Sequence, residues 1–263
     1  MDLGLRGKVA LVAAASRGLG RATALGLAAE GANLVLCARG AKDLELARDE
    51  IAKGTNVEIL TVVADVSDAA QVETVASQAL TRFGQVDILV TNAGGPPAGT
   101  FEKHPWDAWE RAVNLTLRSV VELTRAVLPG MRERKWGRVI NINSIAAKQP
   151  VEMLMLSNSI RAAVTGFART LANEVATDGV TVNSVLAGYT RTDRVEQLAD
   201  AAAAKEGLTR GDVVARFERE IPMRRLAEPS EFAALAVFLA SRQASYITGQ
   251  SIAVDGGWIK SLM

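Results

Sequence analysis

Between Lys8 and Glu30 the chain reads KVALVAAASRGLGRATALGLAAE: a short apolar run, a break at Ser16-Arg17-Gly18-Leu19-Gly20, then an alanine- and leucine-rich segment. Val9, Leu11 and Val12 form a run of strand length, and Leu25, Leu27 and Ala28 recur at helical spacing on one face. The stretch therefore predicts strand, glycine turn, helix. Such a turn brings backbone N–H groups and the positive end of a helix dipole toward an anion, and Gly18 and Gly20 put no side chain in the way. A dinucleotide is the ligand this arrangement suits first, although glycines also close helices and tighten ordinary loops. The rest of the chain has to agree.

It does so by alternating elements. Ala32 to Ala38 reads as a second strand, followed by a helix through Leu44, Ala47 and Ile51; Val57 to Ala64 is a third strand, ending at Asp65-Val66. Ser67 or Asp68 then caps a helix carrying Val72, Val75, Ala79 and Phe83. Val86 to Thr91 is a fourth strand, broken by Asn92-Ala93-Gly94-Gly95-Pro96-Pro97. Helices through Trp106 to Val113 and Thr116 to Arg134 lead to a fifth strand at Arg138 to Asn143, which releases Ser144 into a loop. A long helix from about Leu154 to Thr177, a sixth strand at Val180 to Leu186, a charged and mostly helical excursion over 187–225, a helix at Glu228 to Ser241 and a last strand at Gln250 to Val254 complete the pattern. Strands alternating with helices predict a doubly wound α/β domain with a mainly parallel, seven-stranded sheet covered on both faces. In such sheets ligands sit beyond the strand C-termini, where the first and fourth strands flank a crevice.

Composition narrows the function. With 263 residues, 49% of them hydrophobic, the chain is long enough for one large core and reads as a single domain over 1–263. Thirty basic against 29 acidic residues leave no electrostatic footprint for nucleic acid or an anionic membrane. One cysteine, Cys37, and one histidine, His104, give neither an internal disulfide nor a metal cluster, which fits a reducing cytoplasm. The start MDLGLRGK is charged where a signal peptide is apolar, and no apolar run approaches the roughly 18 residues of a membrane span, so the chain is expected to be soluble and unprocessed.

Several separated motifs then resemble the short-chain dehydrogenase/reductase family across essentially the whole length, especially reductases of the 3-oxoacyl-acyl-carrier-protein type. Ala13 to Gly20 is similar to the family's Thr-Gly-x-x-x-Gly-x-Gly, Asn92-Ala93-Gly94 to its Asn-Ala-Gly, Asn114 to its active-site asparagine, Ser144 to its active-site serine, and Ser245 to Gly257 to its C-terminal signature. Three positions depart. The first turn glycine is Ala14, the Pro-Gly pair after the sixth strand is Ala187-Gly188, and the stretch where Tyr-x-x-x-Lys belongs is Ser157-Asn158-Ser159-Ile160-Arg161.

The resemblance implies a cofactor pocket. Ser16, Arg17, Gly18, Leu19, Gly20 and Arg39 surround the adenosine phosphates, Asp65 and Val66 the adenine, and Asn92, Ala93, Gly94 and Arg161 the ribose side; Gly188, Thr190 and Thr192 hold the nicotinamide amide and phosphate. Position 38, where NAD-preferring relatives place an aspartate, is Ala38, and Arg39 and Arg17 attract a 2′-phosphate, so NADP(H) is expected over NAD(H). A solvated loop charge is the plain alternative for either arginine.

The resemblance assigns catalysis to Ser144, Asn114, Ser157 and Arg161. The family's tyrosine exchanges the substrate proton, but an aliphatic alcohol lies several units above a phenol's pKa of ~10, so Ser157 is a poor direct substitute. Arg161, one turn along, supplies charge without relaying a proton. A bound water, Lys148 or Tyr189 are the alternative donors; Trp106 and Trp109 read as core or subunit contact, and His104 as a surface or capping residue. The expected activity is interconversion of a carbonyl and a secondary alcohol on a small molecule. The alternative is an NADP(H)-binding sensor or assembly partner with little chemistry. The excursion 187–225 is expected to be a mobile lid, and the two long helices to pack against another subunit in a homotetramer or homodimer.

Overall fold

A computed structural model describes residues 2–262. Seven strands form one sheet: β1 (Val9–Ala13), β2 (Asn33–Ala38), β3 (Ile59–Val63), β4 (Ile88–Thr91), β5 (Gly137–Ser144), β6 (Val180–Ala187) and β7 (Ser251–Val254). Their spatial order is β3-β2-β1-β4-β5-β6-β7. Every adjacent pair is parallel, so the sheet is wholly rather than mainly parallel. The order reverses between β1 and β4, which opens a crevice beyond their C-terminal ends.

Each strand is apolar on both sides because both faces are covered. Ala10 and Val12 join a core with α1 (Gly18–Ala29), α2 (Ala41–Gly54) and, later in the chain, the helix Pro229–Ala240, through Leu27, Ile51 and Phe232. Val9, Leu11 and Ala13 join the opposite core with α3 (Ala69–Phe83) and the long helices after β4 and β5, through Val75, Leu123 and Leu171.

Between β4 and β5 the sequence suggests two helices, but the structure has one continuous rod. It comprises α4 (Trp106–Ala112), a π-helical stretch Val113–Arg118, and α5 (Ser119–Glu133). The Ser119 N–H donates to the Asn114 carbonyl, one residue further back than an α-helical bond, so the rod swells at Asn114 instead of breaking. Trp106 is mostly exposed, outside the core, whereas Trp109 packs beside Leu156 and Ile160. These two belong to α6 (Met155–Val175), the helix after β5.

Beyond β6 the chain forms α7 (Asp193–Glu206) and α8 (Arg210–Glu220) before α9 (Pro229–Ala240). The excursion over 187–225 is mostly helical as expected, and α8 is started by a Thr209–Asp212 capping box. α7 and α8 bury Val195, Ala199, Val213 and Phe217 in a small apolar cluster of their own, apart from the two sheet cores. Tyr189 stacks on Phe217 at 4.4 Å and meets Trp258 edge-on at 6.1 Å.

Candidate active site

The crevice is a cavity of about 640 Å³. Its walls include Ser16, Arg17, Gly18, Leu19, Arg39, Asp65, Val66, Asn92, Ala93, Gly94, Ser144, Ser157, Arg161, Gly188, Thr190 and Thr192. The structure thus brings together almost the whole set that the sequence selects. Two members stand back from the wall. Gly20 is buried beneath the turn: a Cβ there would lie 2.4 Å from the Ala14 carbonyl oxygen and 2.8 Å from Asn92 Nδ2. Asn114 is half-buried in the π-helical stretch, and its neighbour Leu115 reaches the cavity instead.

The turn is shaped for an anion. Ala14 and Gly18 are both left-handed, with φ of 48° and 54°, so Ala14 keeps the conformation that suits a glycine. Arg17, at the N-cap of α1, makes no side-chain capping bond, and the first turn contains no acid. α3, by contrast, is capped by Asp68, whose carboxylate accepts from Ala70 and Gln71 N–H; Ser67 instead bonds Asp65. A helix start left open at the mouth of a crevice fits a phosphate group. The residues present therefore fit a dinucleotide, with Thr192 beside Gly18, its Cγ2 3.4 Å from where a Cβ on Gly18 would stand.

Charges divide along the cavity. On the β2–β3 side, Arg39 pairs with Asp65 at 3.8 Å, and Arg17 bonds both Asp43 and Asp193. Asp43 was not singled out by the sequence, and its carboxylate qualifies the argument from Ala38: the pocket holds an acid two positions into α2 rather than at the end of β2. On the β5–β6 side stand Arg161 and Arg194. Desolvation first, and then the charge of Arg194, push the Arg161 guanidinium down to about 10; burial also lowers Arg194.

Ser144 is the last residue of β5, paired with Ala187, and is not released into a loop. It is held from both sides: its N–H donates to Asn143 Oδ1 at 2.9 Å, and its Oγ accepts from Ala146 N–H at 3.2 Å. Asn143 also donates to the Arg161 carbonyl at 3.1 Å and to Thr165 Oγ1 at 3.3 Å, tying α6 to the end of β5. Sequence reasoning passed over Asn143, although a buried asparagine ahead of the serine in an apolar strand was the available signal.

Among the alternative proton donors, Lys148 is exposed and outside the cavity wall. Tyr189 reaches the wall, but burial, with Glu220 adding to it, pushes its phenol up to about 12. That is the wrong direction for an acid tuned toward neutral pH. His104 is half-buried, with Nε2 lacking a partner, and lies outside the wall.

A parallel sheet, an open helix start at its switch point and a fixed serine on β5 define a nucleotide-dependent enzyme fold with its chemistry at the strand ends. The comparisons make the class specific. A family model described as enoyl-(acyl carrier protein) reductase matches residues 13–259. A D-beta-hydroxybutyrate dehydrogenase of Cupriavidus necator is 36% identical over 97% of this chain and 99% of its own. A 3-oxoacyl-[acyl-carrier-protein] reductase of Salmonella typhimurium is 35% identical over 97% and 98%. L-sorbose reductase from Gluconobacter frateurii, solved with NADPH and L-sorbose, superposes over the full length of both chains with a TM-score of 0.94 at 35% identity. The chain belongs to the short-chain dehydrogenase/reductase family.

Proposed function

We propose that the chain is an NADP(H)-dependent oxidoreductase that interconverts a carbonyl and a secondary alcohol, on a 3-oxoacyl or related small substrate, with an atypical proton donor. The observation that carries this reading is the shared cavity: the open start of α1 and the fixed hydroxyl of Ser144 face the same space. Ser16, Arg17, Leu19 and Arg39 would hold the adenosine phosphates, Asp65 and Val66 the adenine, and Asn92 and Arg161 the ribose; Thr190 and Thr192 would hold the nicotinamide end. When bound, NADPH supplies the hydride for the carbonyl carbon.

The protein's own residues supply the rest. Ser144 donates a hydrogen bond to the carbonyl oxygen, and Arg161 stabilises the negative charge developing there. Ser157, buried and on the wall, passes that oxygen a proton drawn from water, since neither an alcohol nor an arginine is itself a useful acid. Asn114 shapes the rod behind Leu115. General acid catalysis contributes ~10² to 10⁴ in rate, so turnover by this route is slow relative to a tuned tyrosine.

The same Ser157 and Arg161 favour the second reading, an NADP(H)-binding sensor or assembly partner. NADPH oxidation against a carbonyl panel separates the two. The native chain should turn over slowly, Ser144→Ala should abolish turnover, and Ser157→Tyr/Arg161→Lys should raise it ~10²-fold or more. The double variant should also gain a phenolic break in its pH–rate profile. With Tyr189 held near 12, the native chain should show none below about pH 10. NADPH binding without native turnover would sink the enzyme reading.

The segment 187–225 serves as a lid, supported by the separate apolar cluster of α7 and α8. Amide exchange in 193–220 should be faster than in β5 without ligand. A homotetramer or homodimer, with a cytoplasmic location, completes the reading. α6 exposes Ala162, Gly166 and Thr170 on one face, which lets a second helix approach closely, and a monomer in sedimentation would refute the assembly. Among the described residues no helix is long and apolar enough to cross a membrane.

A further inference from the structure

Three carboxylates reach the cavity wall, Asp43, Asp65 and Asp193, and each is paired with Arg17 or Arg39 on the β2–β3 side. On the β5–β6 side, the wall holds the guanidiniums of Arg161 and Arg194. Neither forms an ion pair with any described residue. Arg194, in the first turn of α7, donates through Nη2 to the Pro96 carbonyl at 2.7 Å. It lies flat across Gly95, where an added Cβ would come within 2.7 Å of Nε and 2.8 Å of Cζ. Arg161 has only a long contact, 3.5 Å, from Nη1 to Asn143 Oδ1.

Two uncompensated guanidiniums in one partly enclosed space repel each other and have given up hydration. Arg194 is nonetheless fixed, by a loop carbonyl and a glycine that leaves it room, with most of its N–H donors unused. A planar fork held this way suits a carboxylate, which it can bind with two parallel hydrogen bonds. It stands on α7 against the loop after β4, in the same cavity wall as Ser144, while the preceding Thr192 and Asp193 meet Gly18 and Arg17 of the glycine turn.

We propose that the substrate is an oxo acid and its product the hydroxy acid, and that Arg194 is the residue that grips the substrate carboxylate, with Arg161 adding charge. This rests on the oxidoreductase reading above. The carboxylate is unchanged in the reaction: the keto carbon gains the hydride of NADPH, the keto oxygen gains a proton, and NADP+ is released. Binding of the acid neutralises the Arg161–Arg194 repulsion and ties α7 down over the site, so substrate charge and lid closure are coupled.

A matched pair tests this: acetoacetate and its methyl ester, each with saturating NADPH. The acid should have a KM roughly ten- to a hundredfold below the ester, the range of a charge-assisted bond gained or lost. Arg194→Gln should erase that preference while leaving the Kd for NADPH unchanged, and Arg194→Lys should keep part of it. Gly95→Ala, which leaves the arginine in place but crowds it, should raise the KM of the acid selectively. Equal KM values for acid and ester in the native chain would overturn the proposal. So would Arg194→Gln weakening NADPH instead, because the guanidinium would then belong to a cofactor phosphate. If no carbonyl is turned over, the oxidoreductase reading fails separately, and calorimetry with malonate on the NADP+-loaded protein still decides the site. Malonate binding lost in Arg194→Gln supports it, and no binding, or binding unchanged by the substitution, refutes it.

Discussion

Arg17 and Arg39 line the cavity at its β2–β3 end with 60% and 74% of their side chains exposed, each held by a carboxylate. Arg161 and Arg194 line the other end, desolvated and, among the described residues, without one. The same residue type therefore works in two regimes. At the exposed end a phosphate must displace an acid that already neutralises the arginine, so the net gain is small and salt-dependent. At the half-buried end an anion finds charge that is uncompensated, so the gain is larger and the penalty falls on the empty site.

That contrast rests on the backbone beneath it, and the largest expected effect comes from disturbing the glycine turn. Gly20→Ala would drive a methyl against the Ala14 carbonyl and Asn92, which meet at 3.4 Å just beyond the ends of the paired strands β1 and β4. A loss of about 1–3 kcal/mol in chemical denaturation is expected, together with weakened NADPH binding in calorimetry. Gly95→Ala has a contact of similar length, but with the guanidinium of Arg194, a side chain held by one hydrogen bond that can give by a few tenths of an ångström where a backbone carbonyl cannot. Its stability should stay within about 0.5 kcal/mol of the native value. Equal destabilisation of the two variants would mean that Arg194 is packed as rigidly as backbone, and the difference between the two ends would collapse.

A smaller effect should come from Asp43→Asn. Asp43 hydrogen-bonds Arg17 and, with Asp193, holds its pKa above the ordinary value. Removing that acid leaves Arg17 freer for a 2′-phosphate, so NADPH affinity should rise by about two- to fivefold, with NADH affected less and the gain shrinking as salt is added. An NADH gain as large as the NADPH gain would detach Arg17 from the 2′-phosphate.

These residues also mark what was legible in the sequence. The strand and helix alternation and the switch point followed from periodicity and turn chemistry, which act over neighbouring residues, whereas most of the cavity wall followed from the family resemblance. Arg194 and Asp43 were missed for one reason: each reads as an ordinary helix charge, and only the crossing of the Pro96 loop by α7, or of the glycine turn by α2, brings it to the cavity. Asn143 was hidden differently, since its partners Arg161 and Thr165 lie on α6, a full crossover away. At Asn114 the sequence marked a break between two helices, and the chain instead stays helical there and swells into the π-helical stretch Val113–Arg118.

The smallest effect concerns Ala14. Its φ of 48° is left-handed, a conformation that costs an L-residue with a Cβ about 1–2 kcal/mol. Ala14→Gly would relieve that strain, but glycine also loses more freedom on folding, by about 0.5–1 kcal/mol. The two terms oppose each other, so stability should rise by no more than about 1 kcal/mol, far from the loss expected at Gly20. Binding should respond more clearly, because Ala14 lines the cavity beside the open start of α1. Deleting its methyl lets a pyrophosphate approach the turn, and NADPH and NADH should tighten together by a few-fold, in contrast to the selective change at Asp43. Calorimetric titration of both cofactors against the two variants separates an effect of backbone approach from one of charge. A selective NADPH gain in Ala14→Gly would show that the methyl restrains Arg17 rather than the phosphates.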